Sequence, residues 1–457
     1  MADLASIVLA AGLGKRMKSA LPKPLHCLCG QPLLRHVLAA MRPLRPAPQV
    51  VVVGVGAEQV QAAFPDEPDL AWAVQEQQLG TGHAAACARS ALEGFTGDVL
   101  VTCADIPLVQ PATWERVLAE HRAHHAAATI VTAMFRDPTG YGRVIRDENG
   151  AVRMIVEEAD CDEITRGLNE GNVSVYCFRA PLLFDALRRL QPNNEQGEYY
   201  LTDVIGLLVE ARERVIPVLA DAEEVMGLND RAQLARAEKL LRARLNRRAM
   251  LEYGVTLIDP DATYIDGDVT LGRDTVIYPG ALLTGRTKVG EGCTIGAHVL
   301  IEDSEIGDGT HIRHGSVVRQ SQVGAGCLIG PFAHVRDHST VGDATRVGNG
   351  EIVRSHLGEG VKDLHFSYLG DTTVGAGVNI GAGVITCNYD GQNKSRTIIG
   401  DGAFIGSDAA LIAPVTIGPG AYLAAGSVIT QDVPAKALAI GRSRQENKEG
   451  WAERLKK

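Results

Sequence analysis

From Ile265 to Ile429 a small aliphatic residue recurs every six positions, and no other feature of the chain restricts its fold so tightly. The register runs Ile265, Leu271, Ile277, Leu283, Val289, Ile295 and Ile301, and a slip of five brings in Ile306, Ile312 and Val318. A second slip of five introduces Val323, Ile329, Val335, Val341, Val347 and Val353. The last run is Ile399, Ile405, Leu411, Ile417, Leu423 and Ile429. A period of six is neither the 3.6 of a helix nor the two of an ordinary strand, so it demands a coil that turns one corner per hexad. Three hexads then close a triangle. Successive triangles stack at the strand spacing of about 4.8 Å, with every sixth side chain inside and Gly where a corner needs a permissive backbone. The prediction is a parallel β-helix.

The register breaks between Val353 and Val374, a spacing of 21, and between Ile380 and Ile399, a spacing of 19. The first interval holds His365-Phe366-Ser367-Tyr368, and the second runs from Cys387-Asn388-Tyr389-Asp390-Gly391 to Arg396. A solenoid can expel a loop without losing its stack, so both intervals are expected to be loops that carry function.

The chain has 457 residues, enough for two or three domains with sizeable cores. Its 45 basic and 55 acidic side chains give a net charge of -10, which argues against general nucleic-acid binding and leaves any phosphate to local cations. The nine Cys include no CxxC pair, Cys27 and Cys29 being the closest, so reduced thiols in a cytoplasm are expected rather than disulfides or zinc. The apolar run Ile7 to Ala11 is too short for a signal peptide, and no 18-residue apolar segment exists. Neither export nor a membrane span is expected.

Ahead of the solenoid, Ser6 to Leu9 reads as a buried strand, and Ala10-Ala11-Gly12-Leu13-Gly14-Lys15-Arg16-Met17 as a glycine-bearing turn into a helix. Small residues let backbone N–H groups approach an anion, while Arg16 and Lys23 bring positive charge to it. The motif lacks the third Gly of a dinucleotide fingerprint and the GK[ST] of a Walker loop. Further strands are expected at Val50–Val55, Val99–Cys103, Thr129–Met134 and Val173–Phe178, alternating with helices. Such alternation predicts a mostly parallel sheet with its ligand at the carboxyl ends of the strands. Asp105, just past one of those ends, is placed to hold Mg²⁺ over phosphates or to cap a turn. Gln75 and Leu79-Gly80-Thr81-Gly82-His83 supply amide and backbone groups suited to a base edge. From Asn229 to about Arg248 the pattern is helical, with Leu234, Leu241 and Leu245 on one side and a solvated Arg-rich face on the other. The tail from Lys436 to Lys457 is basic, with Arg442, Arg444, Lys448, Arg454, Lys456 and Lys457.

The ordered set of motifs resembles one family. Leu9-Ala10-Ala11-Gly12-x-Gly14-x-Arg16-Met17, Leu21-Pro22-Lys23, Gln75 with Leu79-Gly80-Thr81-Gly82-His83, Asp105-x-Pro107, Asp137 to Arg143 and Gln196-Gly197-Glu198-Tyr199-Tyr200-x-Thr202-Asp203 are similar to the bifunctional bacterial GlmU family. The similarity continues through Gly330-Pro331-Phe332-Ala333, His365-x-Ser367-Tyr368-Leu369-Gly370-Asp371, Asn379 to Gly383, Thr386 to Lys394 and Lys448-Glu449-Gly450-Trp451. The resemblance implies an α/β Rossmann-like nucleotidyltransferase domain followed by a left-handed parallel β-helix of hexapeptide repeats. On this reading residues 1–228 form the first domain, 229–249 a connecting helix and 250–457 the second domain with its tail.

It also implies two reactions: acetyl transfer from acetyl-CoA to glucosamine 1-phosphate in the solenoid, and transfer of uridylyl from UTP to the product in the first domain, giving UDP-N-acetylglucosamine and pyrophosphate. A homotrimer with acetyl-transfer sites between subunits is implied as well. By the resemblance, Leu9, Ala10, Ala11, Gly12, Lys23, Gln75, Gly80 and Thr81 hold uridine and phosphates, with Arg16 adding charge. Gly142, Glu157, Asn172 and Asn229 hold the sugar, and Asp105 with Asn229 holds Mg²⁺. His365 is the base that takes the proton of the attacking amine, since a His titrates near neutrality. Arg336, Tyr368, Asn379, Asn388 and Tyr389 grip the sugar phosphate, and Ala382, Ser407, Ala425 and Arg442 line the acetyl-CoA groove.

One stretch departs from the family's pattern. Where relatives usually read Gly-Asn-Phe-Val-Glu-x-Lys-Lys, this chain has Gly348-Asn349-Gly350-Glu351-Ile352-Val353-Arg354-Ser355, one residue shorter and without lysine. The hexad register sends Val353 inward and leaves Arg354 outside to meet a phosphate, although a guanidinium is not equivalent to an ammonium. Cys103-Ala104 likewise precedes Asp105 where the family often has Tyr-Gly. Two other functions fit the same features: a nucleotidyltransferase whose solenoid is only a scaffold, and a non-catalytic sugar-nucleotide-binding regulator. His365 and the Asn388-Tyr389 segment speak against the first, and Asp105 together with Asn229 against the second.

Overall fold

The computed structural model describes residues 3–456, and the chain divides into two compact units, Met1–Leu241 and Arg242–Lys457. Lys457 of the basic tail lies outside the described residues. The helix Arg231–Glu252 runs across the boundary between the units.

In the first unit the main path of a nine-stranded sheet runs Val215–Ala220, Ala128–Met134, Glu170–Arg179, Asp98–Cys103, Leu4–Ala10, Gln49–Val53 and Leu70–Val74. Alternation along each strand feeds two cores. Ile7, Leu9, Val50 and Val52 pack on one face, where the helices Thr81–Cys87 and Ala180–Leu187 lie. Val8, Ala10, Val51 and Val53 pack on the other, against Leu33–Met41 and Pro111–Ala123. A strand buried on both faces favours apolar residues on both sides, which is why Leu4–Ala10 and Gln49–Val53 are nearly continuous hydrophobic runs, interrupted only by the buried Ser6 and by Gln49 at the strand's start. Leu4–Ala10, Gln49–Val53, Leu70–Val74 and Asp98–Cys103 are mutually parallel, so their carboxyl ends share one edge.

The sheet is mostly parallel as expected, with one strand of its main path reversed, and the helix expected after the glycine turn is corrected. Glu170–Arg179 runs antiparallel to both neighbours, because the chain reaches it through the hairpin Gly142–Arg146/Val152–Val156 and not through a crossover helix. The turn after Leu4–Ala10 leads into a 3₁₀ turn, Lys15–Met17, and the first α-helix begins only at Leu33. Lys18 is left-handed at φ 48°, and Leu21 precedes a proline, both of which oppose helical continuation.

In the second unit three parallel sheets of 11, 10 and 9 strands form the faces of a triangular column, each strand pairing with the strand three further on except at the end, where Tyr422–Leu423 pairs with Leu438–Ala439. This is the left-handed β-helix of hexapeptide repeats. Partners such as Ile277 and Ile295, or Leu283 and Ile301, are one full coil apart, and all four are fully buried. Every aliphatic position of the predicted register from Ile277 to Val347 and from Ile399 to Ile429 lies in one continuous core.

The first register break is not a loop. Ile352, not Val353, is the inward residue of its coil, and the column continues through Leu357, Asp363, Leu369 and Val374. The hexad rule missed it for two reasons. The corner Gly348-Asn349-Gly350 is one residue short, and the inward site at 363 is polar. Gly348 makes the short corner possible, since a Cβ there would collide with the Leu364 carbonyl oxygen. The second break is a true expulsion: Thr386 and Ile399 are consecutive inward positions, and Asn388 to Arg396 bulges out between them, closed by a bridge of Tyr389 with Lys394.

Candidate functional site

At the carboxyl edge of the first sheet a cavity of about 420 Å³ opens. Leu9 to Gly12, Arg16, Lys23, Gln75, Gly80, Thr81, Asp105 and Asn229 all line it. Three strands end there and release these residues: Leu4–Ala10 into the glycine turn, Leu70–Val74 into Gln75, and Asp98–Cys103 into Asp105. Gly80 is held at φ 106°, and the segment around it is stitched to a distant one. Tyr199 N donates to Leu79 O, Gly82 N to Tyr199 O and Leu201 N to Thr81 Oγ1, at 2.8, 2.8 and 3.0 Å. A Cβ on Gly80 would lie 2.6 Å from the Tyr199 carbonyl oxygen, so only glycine permits this approach. Gln75 is buried, its amide nitrogen 3.0 Å from both the Gly80 carbonyl oxygen and His83 Nδ1.

Asp105 and Asn229, far apart in sequence, meet because Leu228 N donates to the Asp105 carbonyl oxygen at 2.8 Å. Both side chains converge on one cation: Lys23 Nζ pairs with Asp105 Oδ2 and donates to Asn229 Oδ1 at 3.0 Å. A carboxylate and a carboxamide oxygen around one positive group are hard oxygen donors of the kind that suit Mg²⁺. Among the described residues no group of three or more His, Cys, Asp or Glu converges, and the side-chain oxygens that meet Lys23 here are those of Asp105 and Asn229.

Beside it lies a second cavity of about 210 Å³ that shares Leu9, Thr81, Cys103 and Glu198 with the first and is lined by Glu157. Burial pushes the Glu157 carboxyl up, opposed by a 2.8 Å bond from the Thr202 hydroxyl. Gly142 and Asn172 line neither cavity. They pair across adjacent strands behind Glu157, and Asn172 Nδ2 donates to the Tyr176 hydroxyl at 2.7 Å. Burial raises the Cys103 thiol well above its ordinary range, so it meets the cavity as a neutral group. Gln78 and Glu198 also line the larger cavity. Sequence reasoning did not single them out, although Glu198 stands inside the Gln196–Asp203 motif.

In the column, stacking brings together residues that the sequence scatters. Asp363, Ile380, Ile405 and Leu423 are successive partners, so the residues two further on, His365, Ala382, Ser407 and Ala425, share one corner. Gly383 N donates to His365 O, Asp408 N to Ala382 O and Gly426 N to Ser407 O, at 3.2, 2.7 and 2.8 Å. Arg442 continues the corner, its Cδ 4.0 Å from where a Cβ on Gly426 would be. His365, Ser407, Ala425 and Arg442 are exposed.

The next corner carries the arginines. Arg354 occupies the position that Asp337 and Asp371 hold in the coils on either side, and it bonds to both: Nε and Nη2 to Asp371 at 2.8 and 3.0 Å, Nη1 to Asp337 at 3.4 Å. Arg336 donates to Asp337 at 2.6 Å and to Glu351 at 2.9 Å. Asn388 Nδ2 reaches Asp371 at 2.5 Å. The Arg354 guanidinium therefore faces outward as expected but already satisfies carboxylates, and it holds Asp371 below its ordinary range. These acidic partners were not singled out as site residues, because their positions in sequence do not reveal which coil's arginine they face. A Cβ on Gly370 would lie 2.6 Å from the Tyr368 hydroxyl and 2.7 Å from Asn388 Nδ2, so those two groups converge on the same strand. Tyr389 is exposed, its hydroxyl donating to Gly391 O at 2.6 Å. Asn379 is on a different sheet, between Lys362 and Phe404.

The nine cysteines are free thiols, and no helix among the described residues is long and apolar enough to cross a membrane.

Residues 6–222 match the MobA-like NTP transferase domain, 265–374 the GMPPB C-terminal domain and 396–431 the bacterial transferase hexapeptide of six repeats. The chain is 48% identical to the bifunctional protein GlmU of Trichlorobacter lovleyi across 99% of this chain and 98% of that one. It is 49% identical to the protein of the same name from Geobacillus sp. strain WCH70 across 98% of each, and 47% to that of Pelobacter propionicus across 100% of each.

Proposed function

The chain belongs to the GlmU family of bifunctional transferases, and we propose that it divides the family's two activities between its two halves, through the residues just described. It is an enzyme that transfers acetyl from acetyl-CoA to the amine of glucosamine 1-phosphate, and uridylyl from UTP to N-acetylglucosamine 1-phosphate with release of pyrophosphate. We assign uridylyl transfer to residues 1–228, acetyl transfer to 250–457 and the span 229–249 to the connecting helix.

In uridylyl transfer a sugar-phosphate oxygen attacks the α-phosphorus of UTP, so two polyanions must meet and pyrophosphate must leave. The cavity supports this with Arg16 and Lys23 at its rim and the small turn Ala10 to Gly12 against which phosphates can lie. Asp105 and Asn229 would hold Mg²⁺, whose chemistry is to neutralise phosphate charge and assist the leaving group. Lys23 already stands between those two oxygens, which supports the fit of a cation there. Gln75 offers its amide oxygen to a base edge, its nitrogen being engaged by Gly80 and His83. Glu157, backed by Gly142 and Asn172, is assigned to the sugar in the adjoining cavity.

In acetyl transfer the amine must lose a proton as it attacks the thioester carbonyl. His365, exposed at the foot of the corner formed by Ala382, Ser407, Ala425 and Arg442, is assigned as the base, and that corner as the acetyl-CoA groove. The strand Tyr368–Gly370 leads from the His365 corner to the arginine corner. Three residues of strand span about 10 Å, room for a sugar whose phosphate meets Arg336, Arg354, Tyr368, Asn388 and Tyr389 while its amine faces His365. A phosphate would have to displace Asp371 or Asp337 from the guanidinium groups. Asn379, on another sheet, joins the sugar phosphate by coming from a second copy, in keeping with a trimer of columns.

The observation that carries this reading is the shared corner of His365 with the acetyl-CoA residues, since a scaffold has no use for a histidine there. Supplying glucosamine 1-phosphate, acetyl-CoA, UTP and Mg²⁺ and following products by mass spectrometry tests it. N-acetylglucosamine 1-phosphate should appear first and UDP-N-acetylglucosamine second. Nucleotide-sugar formed only when the acetylated sugar phosphate is supplied would leave the solenoid as a scaffold.

A further inference from the structure

Asp363 stands at an inward position of the column where the adjacent coils hold Val347 and Ile380. Its side chain is fully buried, Oδ2 accepts a 2.5 Å bond from Ser367 Oγ, and Oδ1 finds no partner among the described residues. A carboxyl in an aliphatic stack, half of its hydrogen-bonding capacity unmet, works against stability. Local choices that oppose the fold tend to occur where function is served.

What the pair spans is specific. Asp363 and Ser367 are the last buried residue before, and the first after, an exposed corner of three residues, Leu364, His365 and Phe366. Phe366 is held at φ 31°, a left-handed conformation costly for a side chain of its size, and its N–H donates to Asn349 Oδ1 of the short corner in the preceding coil at 3.1 Å. That short corner also makes room for the pair. A Cβ on Gly350 would lie 2.5 Å from Ser367 Oγ and 3.3 Å from Asp363 Oδ2. The shortened segment that distinguishes this chain from its family's usual pattern therefore packs directly on the Asp363–Ser367 bond.

We propose that Asp363 and Ser367 are positioning residues for acetyl transfer: their hydrogen bond closes the base of the corner and fixes the backbone on both sides of His365, aiming its imidazole at the incoming amine. Neither side chain reaches the surface, so neither touches substrate. The proposal rests on the assignment of His365 as the base.

Acetyl and uridylyl transfer are measured separately on the full-length Asp363→Val, Asp363→Asn, Ser367→Ala and His365→Ala variants. Valine repeats what the adjacent coil holds, so the column should form in that variant, and Ser367→Ala leaves the column's inward residues unchanged. In Asp363→Val and Ser367→Ala the kcat of acetyl transfer should fall about tenfold, with KM for both substrates within about twofold, because orientation and not binding is lost. Asp363→Asn should recover most of the rate, its amide oxygen still accepting from Ser367, and uridylyl transfer should be unchanged in all three. Wild-type acetyl kcat in Asp363→Val overturns the inference, as does an Asp363→Asn variant as slow as valine beside a normal Ser367→Ala. His365→Ala separates the two claims: if it keeps acetyl transfer, the assignment of the base is what fails, whereas an inactive His365→Ala beside a normal Asp363→Val refutes the positioning role alone.

Discussion

The two halves build a site in opposite ways. The first unit gathers loops from several strand ends around one cleft, and every group assigned to uridine, phosphate or metal faces that space. The second unit repeats one corner, coil upon coil, and presents its residues as exposed columns. A cleft between strand-end loops carries its own walls. A column must borrow a wall, which is why the acetyl-transfer assignment calls for another copy of the chain while the uridylyl assignment does not.

That contrast can be broken most decisively by exchanging the losses. His365→Ala should cost about 10²–10⁴ in acetyl-transfer rate and leave uridylyl transfer near wild type, and Asp105→Ala should do the reverse, both read from initial rates of each half-reaction. A parallel fall of both activities in either variant would refute independent sites.

The column should also feel a core defect locally. Ile405 is fully buried, and Ile405→Ala should cost about 2–5 kcal/mol of the solenoid's stability. Because coils contact only their neighbours, acetyl transfer should drop while uridylyl transfer and the melting of the first unit hold. Calorimetry combined with the two rate assays checks this.

A third effect depends on pH. Burial pushes the Asp363 carboxyl up from 3.8 to about 6, the Ser367 bond opposing. The folded chain then binds more protons than the unfolded one between those values, so this group's effect is absent below pH 3.8 and stability falls as pH rises through 6. The full penalty above that window is about 3 kcal/mol at 1.36 kcal/mol per unit. Urea unfolding at pH 4.5 and 7.5 should show Asp363→Val gaining on the wild type at the higher pH; an equal gap at both would mean the carboxyl is not strained.

The smallest expected change is at Arg354. Its guanidinium already bonds to Asp371 and Asp337, so Arg354→Ala should raise KM for glucosamine 1-phosphate by about tenfold or less, near 1 kcal/mol, with kcat unchanged. A steady-state titration of that substrate reads it, and a large drop in kcat instead would give Arg354 a part in the chemistry.

The hexad column was legible because burial demands an aliphatic side chain at fixed intervals, and the Asn388–Arg396 expulsion was legible because it interrupts them. The same rule misread Val353 and made a loop of His365–Tyr368, since it cannot see a polar inward residue such as Asp363 or a corner shortened by Gly348 and Gly350. In the first unit the glycine turn, Gln75 and Asp105 stood out by residue type at strand ends. The antiparallel course of Glu170–Arg179 did not, because strand direction is set by how the chain returns and not by side-chain pattern.

What the sequence determined by itself is the repeat, the family and the chemistry-bearing residue types, because periodic burial and ordered motifs are written along one dimension. Only the tertiary structure decided which of them meet. It aligned His365 with Ala382, Ser407 and Ala425 through strand pairing. It brought Asn229 to Asp105 through one backbone hydrogen bond from Leu228, and it gave Arg354 to Asp371 and Asp337. Such partnerships depend on distances across coils and between strand ends, and residues 17 or 124 positions apart in the chain carry no mark of them until the backbone folds.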